Sequence, residues 1–267
     1  MSFSLGDDLS LAIKMASAAD AITLARYQAI DLKVDTKPDR TPVTDADKSA
    51  EQVIRSLLSE HRPDDGIVGE EFGDEGKEKR RYWVIDPIDG TKNFLRGVPT
   101  WATLIGLVER ADDGTQQTIV GVVSAPALFR RWHATRGNGA FVRVGDSQPT
   151  KIHVSKVSNI ADASISYSDF IGWNEKLAPF QNLLAEAWRT RGIGDFWSHM
   201  LVAEGAVDVA IEPELALWDM TALDVIVTEA GGRFTNTDGV DGPHGGSAIS
   251  SNGAIHEYIV KALAGQK

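Results

Sequence analysis

Cysteine is absent from the 267 residues, so disulfides, thiolate zinc sites and cysteine nucleophiles are excluded. No apolar run reaches the length of a membrane span. Positive charge is also scarce: 27 Lys and Arg stand against 38 Asp and Glu, a formal net charge of −11. No basic stretch stands out, which argues against nucleic acid as a partner. An anionic ligand remains compatible with this balance, because bound divalent ions invert the local charge of a carboxylate-lined site. Residues 1–8 lack a basic region followed by an apolar one, so no signal peptide and a cytoplasmic location are expected. The chain is long enough to bury a core as one large domain or two modest ones.

What is present concentrates in Tyr82-Trp83-Val84-Ile85-Asp86-Pro87-Ile88-Asp89-Gly90-Thr91-Lys92-Asn93-Phe94. An apolar run ends at Asp86, and Pro87 is expected to stop further ladder pairing. Pro87 fixes its own φ, so Asp86 and Asp89 can converge on one side of a turn. Gly90 allows that turn to be tight, and Thr91 sets a hydroxyl beside a backbone N–H. Two carboxylates followed by exposed backbone donors suit a hard cation and a phosphate. A plain strand ending in an Asx-type turn would read the same way, and the rest of the chain decides between them.

Leu9, Ala12, Ile13 and Ala16 fall at helical spacing and predict a helix running to about Gln28. Residues 31–42 carry two prolines and many charges, which predicts a mobile loop. A second helix starts near Thr44, with Ala50, Val53, Ile54 and Leu57 on one face. Thr44-Asp45-Ala46-Asp47 has the form of a capping box, so Asp47 either caps the helix or also faces a site. Residues 67–72 read as a strand ending in Glu70-Glu71, followed by a polar, flexible stretch over 73–81. Segments 101–109, 118–125, 130–135 and 140–144 read as strands with short connections, hence an antiparallel sheet.

Beyond Pro149 the pattern alternates: strands at 164–168, 188–191 and 207–211, helices at 175–187, 196–204 and 218–230. This predicts an α/β chain whose first part is α+β, divided near 145–150 into 1–147 and 148–267. The helix over 218–230 shows an apolar stripe of Leu223, Ile226, Val227 and Ala230 and ends at Gly231-Gly232. Asp219 lies at its N-terminal end, where the helix dipole stabilises a carboxylate.

Glu70, Asp86, Asp89 and Asp219 are thus four acids at element ends, with Thr91 and Asp47 as helpers. Gly69-Glu70-Glu71, Asp86-Pro87-Ile88-Asp89-Gly90-Thr91 and Trp218-Asp219 with Leu223 resemble, in order and spacing, the motifs of the inositol monophosphatase family. Leu201-Val202-Ala203-Glu204-Gly205 and Val227-Thr228-Glu229-Ala230-Gly231-Gly232 extend the resemblance over nearly the whole chain. Arg96-Gly97-Val98-Pro99-Thr100-Trp101, Ala125-Pro126-Ala127-Leu128 with Arg130-Arg131-Trp132, and Gly242-Pro243-His244-Gly245-Gly246-Ser247 look closest to its histidinol-phosphate phosphatase branch.

The resemblance implies a layered α-β-α-β-α sandwich, a magnesium requirement with two or three ions, and a homodimer. It implies hydrolysis of a small phosphate monoester, here L-histidinol phosphate in histidine biosynthesis. Carried over, Glu70, Asp86 and the Ile88 carbonyl would hold one metal, and Asp86, Asp89 and Asp219 a second. An oxygen-only ligand set and scattered histidines independently favour magnesium over zinc. Water activated beside the metal would attack, with Thr91 and Asp47 orienting it or taking its proton and Glu70 as the rival acceptor. The N–H groups of Gly90 and Thr91 would cradle phosphate oxygens.

Arg191, Gly194 and Glu212 match family positions on the substrate side. Asp195-Phe196-Trp197 stands where inositol phosphatases tend to carry small residues. That departure points Asp195, Glu212 or both at a substrate ammonium. A cap on the following helix is the other reading of Asp195. Two rivals share the metal set: a phosphatase for inositol phosphate or other small esters, and a metal-dependent binding protein without turnover.

Overall fold

The computed structural model of the protein describes residues 3–38 and 41–266. Helix α1 (Leu5–Arg26) is followed by a hairpin of β1 (Val34–Thr36) and β2 (Pro42–Thr44), then α2 (Asp45–His61). Next come β3 (Gly66–Gly69), β4 (Gly73–Glu75), β5 (Arg81–Asp89), the short α3 (Thr91–Leu95), β6 (Ala102–Arg110) and β7 (Gln116–Ala125). β8 (Arg130–Thr135), β9 (Ala140–Val144) and β10 (Thr150–Ile152) complete the first sheet. The second half runs β11 (Ser164–Tyr167), α4 (Leu177–Glu186), β12 (Arg189–Gly192), α5 (Asp195–Ala203), β13 (Val209–Glu212) and α6 (Leu217–Glu229). It ends with β14 (Arg233–Thr235), β15 (Ala248–Ser251) and α7 (His256–Leu263). No helix among the described residues is long and apolar enough to cross a membrane.

The first sheet has eight strands in the order β10-β9-β8-β7-β6-β5-β3-β4, and the second five in the order β12-β11-β13-β15-β14. Strand periodicity sorts the first sheet's side chains onto two faces. Trp83, Ile85, Ile105, Leu107, Val120 and Val122 meet α1 and α2 on one face. Leu104, Val123 and Trp132 meet Phe196, Leu223 and Ile226 of α5 and α6 on the other. The second sheet closes over α6 with Phe234 and Ala248. Its far face, Ile165, Val209, Ile211 and Ile249, packs on Phe180, Leu183, Ile259 and Leu263 of α4 and α7. The layers therefore read α-β-α-β-α, the expected sandwich.

Several sequence expectations are corrected. The predicted mobile loop over 31–42 holds β1 and the first residue of β2, paired in register Val34 with Thr44 and Thr36 with Pro42. Asp39 and Arg40 of that stretch lie outside the described residues. Two prolines hid the strands, yet one of them, Pro42, starts β2, a position where a missing N–H is tolerated. The polar stretch 73–81 includes β4, an exposed edge strand antiparallel to β3; its charges suit an edge rather than forbid a strand. The strand predicted over 67–72 stops at Gly69, leaving Glu70 and Glu71 in the turn that follows. The strands over 101–144 do pair antiparallel, as expected, while at the other edge of the same sheet β3 pairs parallel with β5.

Helix α6 carries no single apolar stripe: every residue from Met220 to Val227 is buried. Sheets cover it on both sides, so a one-faced pattern has nothing to select it. It can lie against the first sheet because Gly106 and Gly121, cross-strand partners on β6 and β7, carry no side chain. A Cβ on Gly106 would stand 2.5 Å from Thr221 Cγ2, and one on Gly121 would stand 2.5 Å from Val225 Cγ1.

Candidate active site

Strand β5 does not end at Pro87. Its pairing with β6 resumes at Asp89 opposite Ala102, after a register shift between Asp86 and Asp89. The shift is a bulge, and it turns both carboxylates toward one place instead of opposite faces. The Pro87 carbonyl accepts from Thr103 Oγ1 at 2.8 Å and the Ile88 N–H donates to Asp86 Oδ1 at 2.9 Å, which fixes the bulge. Asp219 enters from the first turn of α6, where its Oδ2 accepts from the Ala216 N–H at 2.7 Å. One oxygen each from Asp86, Asp89 and Asp219 lies within 4.8 Å of the other two.

Three acids this close, with little water, resist ionising together. Burial and the charges of Glu70, Asp89 and Asp219 hold the Asp86 carboxyl well above its ordinary range. Burial and the neighbours Asp195 and Asp219 do the same to Asp89. Burial raises Asp219 to about 7, against the relief given by the Ala216 N–H. A hard divalent cation removes that repulsion, and an all-oxygen set is the donor chemistry it takes.

Glu70 sits beside this trio, close enough to act on Asp86, and its Oε1 is 2.6 Å from Lys37 Nζ. Lys37 also meets Glu71 Oε1 at 2.7 Å, so the β1–β2 hairpin delivers a cation to the edge of the acidic cluster. Burial opposes the charge on Lys37, but the bonds to Glu70 and Glu71 outweigh it and raise its pKa.

Asp47 caps α2 and also faces Thr91. Its Oδ2 accepts from the Thr44 N–H at 2.8 Å and from Thr44 Oγ1 at 2.5 Å, completing the capping box of α2. Its Oδ1 faces Thr91 Oγ1 at 3.4 Å. Burial raises Asp47 to about 6. Thr91 Oγ1 donates to the Ile88 carbonyl at 3.0 Å, so Asp47, Thr91 and Ile88 form one connected group. Gly90, at φ 83°, makes the turn into α3, and a Cβ there would stand 2.9 Å from the Thr100 carbonyl oxygen.

Asp89 and Asp219 of the trio line a cavity of about 340 Å³, together with Gly194, Asp195 and Glu212. The chain matches the inositol monophosphatase family over residues 7–267. It belongs to that family. A histidinol-phosphatase from Streptomyces coelicolor is 57% identical, covering 96% of this chain and 97% of its own. One from Mycobacterium tuberculosis is 52% identical, covering 96% and 98%. The solved extragenic suppressor protein suhB from Bartonella henselae superposes with a TM-score of 0.85 at 28% identity, covering 96% and 98%.

In this inositol monophosphatase family member Asp195 does not cap α5. The cap position is Gly194, with no side-chain cap bond, and Asp195 Oδ2 instead accepts from Asn93 Nδ2 at 2.9 Å. Asp195 also holds φ 51°, a left-handed conformation unusual for a non-glycine residue. Burial raises its carboxyl to about 6, with Lys92 pulling the other way. Glu212, at the end of β13, accepts a short hydrogen bond from the Ser168 hydroxyl, and burial pushes it up to about 8. Arg191 lies elsewhere: it is exposed on β12, donates to the Thr190 carbonyl at 2.7 Å and does not line the cavity.

Sequence reading missed Lys37, Lys92, Asn93, Ser168 and His199. Lys92 and Asn93 directly follow Gly90-Thr91, and their position in that motif was the available signal. The others come from a loop, a strand end and a helix interior, where no local pattern marks them.

Proposed function

We propose that the chain hydrolyses L-histidinol phosphate to L-histidinol and phosphate, as a magnesium-dependent member of the phosphoric monoester hydrolases. The two relatives above carry the name of that activity over nearly their whole length. The observation that carries the substrate reading is the cavity's acidic lining. Beyond Asp89 and Asp219, the carboxylates of Asp169, Asp195, Glu212 and Glu214 line it, while Lys92 is its one fixed cation among the described residues. A substrate bearing an ammonium group answers that excess; a neutral polyol does not.

Glu70, Asp86, Asp89, Asp219 and the Ile88 carbonyl would hold magnesium, two or three ions in all. When bound, magnesium supplies Lewis acidity and lowers the pKa of attacking water. Thr91, braced between the Ile88 carbonyl and Asp47, orients that water. Asp47, with its pKa near 6, accepts the proton, and Glu70 is the alternative acceptor. The Gly90 and Thr91 N–H groups hold the phosphate oxygens as charge develops. Asp195 and Glu212 hold the ammonium. We place this chemistry in a cytoplasmic homodimer, an assembly that light scattering on the purified chain tests.

The substrate test is phosphate release from matched L-histidinol phosphate and inositol 1-phosphate, each with magnesium and with chelator. The expected result is a magnesium-dependent preference for the amine of about 100-fold or more in kcat/KM. Preference for the inositol ester would remove the ammonium reading and leave the metal set intact.

A further inference from the structure

Two residues that line the cavity, His199 on α5 and Glu212 on β13, each carry a buried polar atom without a hydrogen-bond partner among the described residues, His199 Nε2 and Glu212 Oε1. The two residues are only 1% and 3% exposed. A buried polar atom left unpaired costs about 1–3 kcal/mol, so two in the lining of one cavity point to a ligand that pairs them. The second polar atom of each residue is engaged and fixes its pose. Glu212 Oε2 accepts from the Ser168 hydroxyl. His199 Nδ1 meets Ser250 Oγ at 2.6 Å, and Phe234 packs against the ring with centroids 6.0 Å apart.

Helical spacing sets His199 one turn beyond Asp195 on α5, and both residues line the cavity. Burial holds the His199 pKa down at about 4, so the ring is neutral near pH 7 and recognises by hydrogen bonding, not charge. A neutral ring nitrogen beside an acid that burial keeps protonated, and that an incoming ammonium would ionise, matches a ligand that offers a neutral nitrogen heterocycle next to an ammonium. We propose that His199 is a specificity-determining residue, hydrogen-bonding the substrate imidazole through Nε2 while Glu212 takes the adjacent ammonium. This rests on the histidinol phosphate reading and assigns which residue reads the ring.

The test compares L-histidinol phosphate with L-alaninol phosphate, which keeps the ester and ammonium but lacks the ring. KM and kcat are measured for the first, and the competitive inhibition constant for the second, in wild type, His199→Met and His199→Gln. His199→Met should raise KM for L-histidinol phosphate about tenfold or more, the worth of one buried hydrogen bond, with kcat changed less than about threefold. The inhibition constant of L-alaninol phosphate should stay within about twofold, and His199→Gln should recover part of the lost KM. Parallel losses on both ligands, or no loss on either, overturn the assignment. Should His199→Met fail to fold, the same ratio read on His199→Gln decides. A wild-type protein inert toward L-histidinol phosphate would instead overturn the substrate reading, a separate and visible failure.

Discussion

Asp219 answers two demands with one carboxylate. It bonds the Ala216 N–H at the start of α6, and it stands among Asp86 and Asp89. Asp219→Asn keeps an oxygen for the first bond and removes a charge from the second. In chelator the variant should therefore melt about 2–4 °C above wild type, as repulsion is relieved. Magnesium should raise the wild-type Tm by mass action and move the variant little, while turnover falls about 1,000-fold or more. A variant that melts lower than wild type in chelator would show that the acids do not repel as described. Away from the site, His256 is fully buried between Thr235 Oγ1, 3.0 Å from Nε2, and Ser251 Oγ, 2.7 Å from Nδ1. Thr235 already donates to the Asn236 carbonyl, so Nε2 carries the proton and Nδ1 accepts. Burial and then Arg233 hold this imidazole at about 4, below the ordinary 6.5. On acidification the unfolded chain takes up the proton first, so the stabilisation is complete above about pH 6.5 and drains away toward pH 4. His256→Gln should flatten urea-melt stability across that window by up to about 1.4 kcal/mol per pH unit. An unchanged slope would mean that His256 is not held neutral.

Among elements, α6 depends most on its neighbours, because it is covered on both sides and delivers Asp219 into the site. Its seat is the glycine pair Gly106 and Gly121. At Gly121 a Cβ would also meet the Ala222 backbone carbonyl at 2.7 Å, and backbone cannot swing aside as a side chain can. Gly121→Ala should lower stability by about 2–3 kcal/mol in denaturant melts and weaken magnesium activation, since the displaced helix carries Asp219. Full activity with full stability would mean that α6 has slack here. The capping box of α2 was legible in Thr44-Asp45-Ala46-Asp47, because its hydrogen bonds are local. The β1–β2 hairpin was not, since its strands are three residues each and are held by contacts distant in sequence, α2 following β2 and Lys37 meeting Glu70 and Glu71.

At the scale of the molecule, one buried cluster joins strands of the first sheet, α5, α6 and strands of the second. Neither sheet can lose α6 without exposing that cluster. Scanning calorimetry of the magnesium-loaded protein should therefore give a single unfolding transition. Two resolved transitions would show that the segments on either side of residue 147 melt as independent units.

The sequence by itself determined the acid ligand candidates, the convergence of two of them, and the family, though the device that joins those two is a bulge and not the expected turn. Each depends on short-range chemistry: Pro87 and Gly90 set local dihedrals, and Asp86 and Asp89 lie three residues apart. The exclusion of thiol chemistry needed only composition. Tertiary structure alone decided what meets what over long separations. It set Asp219 beside Asp86, Lys37 beside Glu70, Asn93 on Asp195, and His199 with Glu212 in the lining of one cavity. It also left Arg191 outside the cavity. Such pairings arise because two sheets clamp one helix, and contacts across layers leave no periodic trace in the chain that makes them.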